Sequence, residues 1–271
     1  MVHTVTSRLS ECIADVTDWC GSRRLQLNST KTELMWFGTS SSLCGLSPFD
    51  KSLAISDVNL QPVESVRNLG VYFDSELSMK AHVSKTTKAA FFRLRHLHQI
   101  RHLLGCEVTS NLVPALIISC LDYGNALLAG LPHTTLPPLQ HVINTAVWPC
   151  WRSLTERSRD GLTVAITALH WLPVEARIQY MLCLSVHLAL ARKAPIYIIL
   201  ACHCMPWSMV LGSATDDELF TPRSRLKFSE RAFCISAPKA WNCLPNDIRL
   251  EACTNSFKRK LKTFLFERYY C

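Results

Sequence analysis

The chain lacks the features that mark a secreted or membrane-spanning protein. Its first residues, Met-Val-His-Thr-Val-Thr-Ser-Arg, contain no apolar core of signal-peptide length. The 13 cysteines are odd in number and scattered. Reduced thiols and an intracellular location are therefore expected rather than a disulfide framework. No apolar run of spanning length is uninterrupted. Asp122 and Asn125 break the window 112–131, and Arg192-Lys193 breaks the window 178–204. Both windows read as buried helices, and no membrane partner is expected. Acidic residues are also scarce, with 21 Asp and Glu against 29 Lys and Arg, a formal charge of +8. That balance points to an anionic partner, nucleic acid before membrane.

Sites of chemistry are equally sparse. Cys202-His203-Cys204 is the only tight thiol–imidazole cluster, and with Cys183 and His187 added it still fits no standard zinc spacing. Asp216-Asp217 is the one Asp pair available for metal ions, and it lies in a Gly-Ser-Ala-Thr loop that reads as solvated. His170 has no accompanying Ser, Cys or Asp motif and reads as a core histidine beside Trp171. No catalytic residue, metal ligand or small-molecule substrate is expected from these residues.

What is present is a core-forming chain. Of 271 residues, 48% are apolar and 18% charged, which excludes a disordered chain. The length suggests about two domains. In order, residues 8–20 show helical spacing of Leu9, Cys12, Ile13, Val16 and Cys20, with Gly21 as a stop. Leu25 to Leu27, a turn at 28–32 and a strand at 33–38 predict a hairpin. Residues 39–48 read as a Ser-rich loop, and 53–60 as a strand pair. Residues 66–73 read as one strand with Gly70 marking a bulge or a close backbone approach. Asp74 and Ser75 supply turn or cap chemistry before a long helix from about Met79 to Leu104.

That helix is the strongest signal in the chain. Val83, Ala90, Leu94 and Leu97 share one face, while Lys85, Lys88, Arg95, His96 and His102 fall broadly opposite. Lys80, Lys85, Lys88, Arg93, Arg95 and Arg101 lie in the window 80–102, which holds no Asp or Glu. Phe92 sits among the basic residues, placed to stack on a base or to pack. Arg93 and Arg101 fall outside the clean division. Further on, buried helices are expected over 107–129. A break is expected near 152–159, followed by a helix over 175–191. A loop over 206–221 and short strands at 223–228 and 232–235 come next. Finally, an amphipathic helix should dock Phe257, Leu261, Phe264 and Leu265 onto its own domain, with Lys258, Arg259, Lys260 and Lys262 outward.

Several segments occur together in a recognisable order. They are Leu27-Asn28-Ser29-Thr30-Lys31-Thr32-Glu33 and Asn68-Leu69-Gly70-Val71 ending in Asp74. Leu121-Asp122-Tyr123-Gly124-Asn125 and Leu139-Gln140 with Asn144 follow. Leu169-His170-Trp171-Leu172-Pro173-Val174 and Ala237-Pro238-Lys239-Ala240-Trp241-Asn242 complete the series. Together they resemble the reverse transcriptases of non-LTR (LINE-type) retrotransposons. The resemblance implies an α+β, mainly helical fold. A partial palm hairpin or sheet over 1–75 would be followed by a thumb-like helical region over 76–155 and a mostly helical C-terminal domain over 156–271. It implies that Lys31 corresponds to a palm lysine near the leaving pyrophosphate, and that Leu69, Gly70 and Val71 lie in the strand touching the primer end. Lys80, Lys85, Lys88, Phe92, Arg93, Arg95 and Arg101 would follow the backbone of RNA or an RNA–DNA duplex. Family activity is RNA-directed DNA polymerisation using magnesium held by paired Asp residues. That loop would precede Arg8, and this sequence carries no equivalent. The expectation is thus a truncated polymerase relative that binds nucleic acid without catalysis. The alternatives are a decayed reading frame without function, or part of an active polymerase completed by upstream sequence.

Overall fold

The computed structural model describes residues 2–45, 47, 51–55, 58–154, 161–202, 219–224 and 228–270. Over the described residues the chain is mainly helical with two small antiparallel sheets, and it divides into two compact units, Met1–His82 and Val83–Cys271. The expected break near 155 falls partly outside the described residues, since 155–160 are not among them.

In the first unit, helix α1 (Val2–Ser22) runs further than expected at its N-terminus and passes through Gly21. Its end is set instead by Arg24, which adopts φ 60°. Leu25 N–H reaches Cys20 O at 2.9 Å and Arg24 N–H reaches Gly21 O at 3.1 Å. This is the paired bonding of a Schellman cap, built here without glycine. The hairpin predicted over 25–38 does not form. Asn28 captures the segment: its Oδ1 accepts from the N–H (3.0 Å) and the hydroxyl (2.6 Å) of Thr30, and its carbonyl accepts from Lys31 N–H at 3.1 Å. A 3-10 turn at Ser29–Lys31 results, and only Leu34 makes an isolated bridge, to Pro62. A local Asx turn thus wins over strand pairing.

The Ser-rich stretch expected as loop holds helix α2 (Ser40–Cys44), because the Thr39 hydroxyl accepts from Ser42 N–H at the N-cap. Strands β1 (Leu53–Ile55) and β2 (Val58–Leu60) pair as expected. The core here is small: Leu34, Leu53 and Leu60 are buried, with Ile13 of α1 packed on them.

The single strand predicted over 66–73 is instead a hairpin. Strands β3 (Ser65–Asn68) and β4 (Val71–Asp74) pair antiparallel, Asn68 opposite Val71. Leu69 (φ 46°) and Gly70 (φ 87°) form the two-residue turn. Positive φ at both positions is the hairpin turn whose twist matches the flanking strands. Gly70 is therefore a turn glycine, not a bulge. Asp74 then accepts from Ser78 N–H at 2.6 Å and from the Ser78 hydroxyl at 3.1 Å, so the chain turns into helix α3 (Lys80–Ile100).

From Val83 onward α3 belongs to the second unit. After a 3-10 turn at Arg101–Leu103, α4 (Cys106–Val113) begins. Pro114 lacks the N–H that the helical ladder needs, and the chain passes through a π-turn, Pro114–Ile118, before α5 (Ser119–Asp122). Helix α6 (Pro137–Leu154) packs on α4, and α7 (Leu162–Ala168) on α6. Helix α8 (Val174–Leu190) is central, since α9 (Ile196–Cys202), α10 (Phe233–Asn242) and α12 (Thr254–Tyr270) all pack on it. The short α11 (Asn246–Arg249) leads into α12.

The seam of this unit is aromatic. Trp241, Phe257, Leu261 and Leu265 are essentially sealed from solvent. Phe257 stacks on His187 at 4.1 Å and lies 5.8 Å from Trp241 between ring centroids. The final helix docks as expected. Two expectations are corrected. Residues 232–235, read as a strand, open α10, and His170, read as a core histidine, is exposed. His170 occupies the left-handed position (φ 52°) that closes α7, with Trp171 N–H bonded to Ile166 O at 3.2 Å. Its ring stacks on Phe266 at 5.1 Å.

Candidate nucleic-acid interface

Helix α3 carries the site. Its apolar face is fixed by burial of Val83, Ala90, Leu94 and Leu97. At 3.6 residues per turn, Lys85, Lys88, Phe92 and Arg95 fall in one arc on the far side. All four are exposed. Phe92 is 62% exposed and meets the His96 ring edge-on, centroids 4.4 Å apart. A ring left this far in solvent between cations is positioned for stacking as well as for charge. Lys80 is exposed too, and it starts α3 at the end of the first unit.

Two further cations expected on this surface sit elsewhere. Arg93 donates from Nη1 to Leu116 O at 2.9 Å, tying α3 to the π-turn where the regular ladder is interrupted. Arg101 is half-buried beyond the end of α3 and lines a groove shared with α6. Stripe and groove are thus distinct surfaces that share Arg95.

In the first unit, Leu69 is 83% exposed at the tip of the β3–β4 hairpin, with Gly70 beside it, while Val71 is buried in β4. Lys31 is exposed at the end of its 3-10 turn. Leu69 and Gly70 therefore form a protruding turn rather than a strand surface.

Metal chemistry finds no donor set among the described residues, where no three His, Cys, Asp or Glu side chains gather to hold an ion. Asp216, Asp217, His203 and Cys204 lie outside those residues. The paired carboxylates that magnesium would require are not assembled by the residues described. All ten described cysteines whose surroundings are defined carry free thiols. Burial raises the Cys150 thiol to about 11, and burial, with Cys243 nearby, raises Cys183 to about 12. Neither is a nucleophile at neutral pH.

Asp122 proves to be a structural partner. It receives Nε of Arg177 at 2.6 Å and Nη2 of the same guanidinium, and Asn125 at 3.4 Å. The pair lines a cavity of about 280 Å3 with His170, Tyr180 and Lys262. Gln140 likewise accepts Val174 N–H at 2.9 Å and donates to Asn144 at 2.8 Å, so that segment caps α8.

No helix of the described residues is long and apolar enough to cross a membrane. No protein-family model, curated protein or solved structure matches the chain. Sequence reasoning missed Trp148, which faces the groove beside Arg101. The signal that could have found it is the absence of any Asp or Glu from α6 as well as from α3.

Proposed function

We propose that this chain is a nucleic-acid-binding relative of retroelement reverse transcriptases, without polymerase activity of its own. The single observation that supports this most is the outer face of α3. Lys85, Lys88 and Arg95 flank an exposed Phe92 on a helix with no carboxylate, anchored by the buried Val83, Ala90, Leu94 and Leu97. In this reading, residues 1–75 correspond to the end of a palm, 76–155 to a thumb and 156–271 to a C-terminal domain. The ligand is RNA or an RNA–DNA duplex. Lysine and arginine contacts to phosphate give affinity without sequence choice. Leu69, Gly70 and Val71 would correspond to the segment touching the primer end, and Lys31 to the lysine near the leaving pyrophosphate, where general acid catalysis is of no use without the metal centre.

Binding of the purified chain to an RNA–DNA primer-template across a salt series tests the reading. Log affinity should fall linearly with log salt. Lys85→Ala, Lys88→Ala and Arg95→Ala together should reduce the slope by roughly 0.9 for each phosphate that is no longer neutralised. An unchanged slope removes α3 as the interface.

A second reading, a decayed reading frame, is favoured by the surface of α1. Val5, Leu9, Val16 and Trp19 of its apolar spacing are exposed rather than packed. It predicts a first unit that aggregates when expressed, and no saturable binding.

A further inference from the structure

The groove between α3 and α6 has a chemistry that the helix stripe lacks. Its volume is about 400 Å3, within the range of small-ligand sites, roughly 300–1,000 Å3. The floor is apolar and aromatic, from Phe91, Leu94, Trp148 and Pro149. Arg95 and His98 line the α3 side one turn apart, and Arg101 joins them from the 3-10 turn that follows the helix. Thr145 faces them from α6. Its hydroxyl donates to His141 O at 2.8 Å. Phe91 is held by the His141 ring at 5.5 Å. Trp148 is 37% exposed in a helix whose neighbours Val142, Ile143, Ala146 and Val147 are buried.

Charge decides the class of occupant. Neither α3 nor α6 contains an Asp or Glu, so both walls are free of their own carboxylates. An apolar helix from a partner protein would fill the floor but leave two guanidinium groups without counter-ions. A phosphate alone would satisfy the guanidinium groups but leave the indole uncovered. A planar ring carrying an adjacent phosphate satisfies both. We propose that the groove binds one unpaired nucleotide of single-stranded RNA or DNA, with the base on Trp148 and the phosphate between Arg95 and Arg101. The proposal rests on the nucleic-acid reading of α3. It adds a single-strand subsite beside the duplex stripe, the two meeting at Arg95.

The test uses the full chain and three fluorescent probes: a blunt RNA–DNA duplex, the same duplex with a four-nucleotide uridine overhang, and an eight-nucleotide oligouridine. Stacking of one base contributes about 1–3 kcal/mol, which is roughly a 5- to 150-fold gain in affinity. The wild-type chain should bind the overhang duplex tighter than the blunt one by at least about fivefold. Trp148→Leu keeps an apolar side chain and removes the stacking plane. His98→Glu, on an exposed position, places a carboxylate between the arginines. Both variants should erase the overhang advantage and weaken oligouridine binding, and Trp148→Leu, which leaves the charge unchanged, should also retain blunt-duplex affinity. Circular dichroism melting confirms that each variant is folded. If the overhang gives no advantage, or if either folded variant keeps it, the proposal falls. Failure to bind blunt duplex with oligouridine binding intact would instead remove the α3 stripe as a duplex site and leave the groove standing.

Discussion

Individual backbone positions show where this sequence sets itself against ordinary preference. Arg24, Leu69, Leu77, Met79, His170 and Arg192 all have positive φ, a region that is unfavourable by about 1–2 kcal/mol for residues with a Cβ. Arg24, His170 and Arg192 each close a helix where glycine is the usual choice. At Arg192 the cap is complete, with Lys193 N–H on Leu188 O at 2.8 Å and Arg192 N–H on Ala189 O at 3.0 Å. Arg192→Gly should therefore stabilise the second unit by about 1 kcal/mol. The melting temperature should rise by about 2–4 °C, read by thermal denaturation. A fall would mean that the arginine side chain contributes more than its backbone strain costs. His170 is a different case, because its ring stacks on Phe266 and glycine would remove that stack.

Among elements, α12 shows how polar contacts fix a helix that burial alone would leave free to slide. Phe257, Leu261 and Leu265 supply the apolar stripe. Before the helix, Glu251 accepts from Lys260 Nζ at 2.7 Å, from the Ser256 hydroxyl at 2.9 Å and from Cys253 N–H at 3.2 Å. Those hydrogen bonds, Lys260 first, hold its carboxyl down to about 2. A carboxyl depressed in the folded state adds stability above its ordinary value, about 4.5, and loses it as pH falls toward 2. Melting temperature followed from pH 5 to pH 2 should drop less steeply in Glu251→Gln than in the parent chain. Equal slopes would show that the clamp adds nothing to folding. His187 works in the same direction at milder pH. Burial first, and then Lys193, lower its pKa, so protonation opposes its stack on Phe257 and its contact with Thr254.

For the whole molecule, the unequal depth of the two cores is the leading fact. The first unit rests on Leu34, Leu53, Leu60 and Ile13 with two two-stranded sheets. Such two-stranded sheets are marginal alone. The second unit has many sealed side chains, including Trp241, Phe257 and Ile143. Calorimetry of the intact chain should show two transitions rather than one. Leu53→Ala should lower only the first. Phe257→Ala, which removes a fully buried ring and should destabilise by about 3–5 kcal/mol, should lower only the second. A single transition shifted by both variants would mean that the units fold as one.

The long-period patterns were legible in the order of residues. Spacing alone placed α1, α3, α8 and α12 and separated Val83, Ala90, Leu94 and Leu97 from the basic residues of α3, because an amphipathic helix writes its faces into its sequence. The basic stripe was legible for the same reason. Short elements were not. Residues 66–73 have the composition of a strand, and only the positive φ of Leu69 and Gly70 turns them into a hairpin. Residues 25–38 could have paired, but Asn28 bonds locally to the N–H and hydroxyl of Thr30 and holds the segment in a turn. Tertiary structure alone decided that Arg93 ties down Leu116 and that Asp122 meets Arg177 across 55 residues of sequence. It also brought Trp148 of α6 beside Arg95 and Arg101. Contacts between distant residues depend on how whole helices cross, and no local pattern in the sequence carries that information.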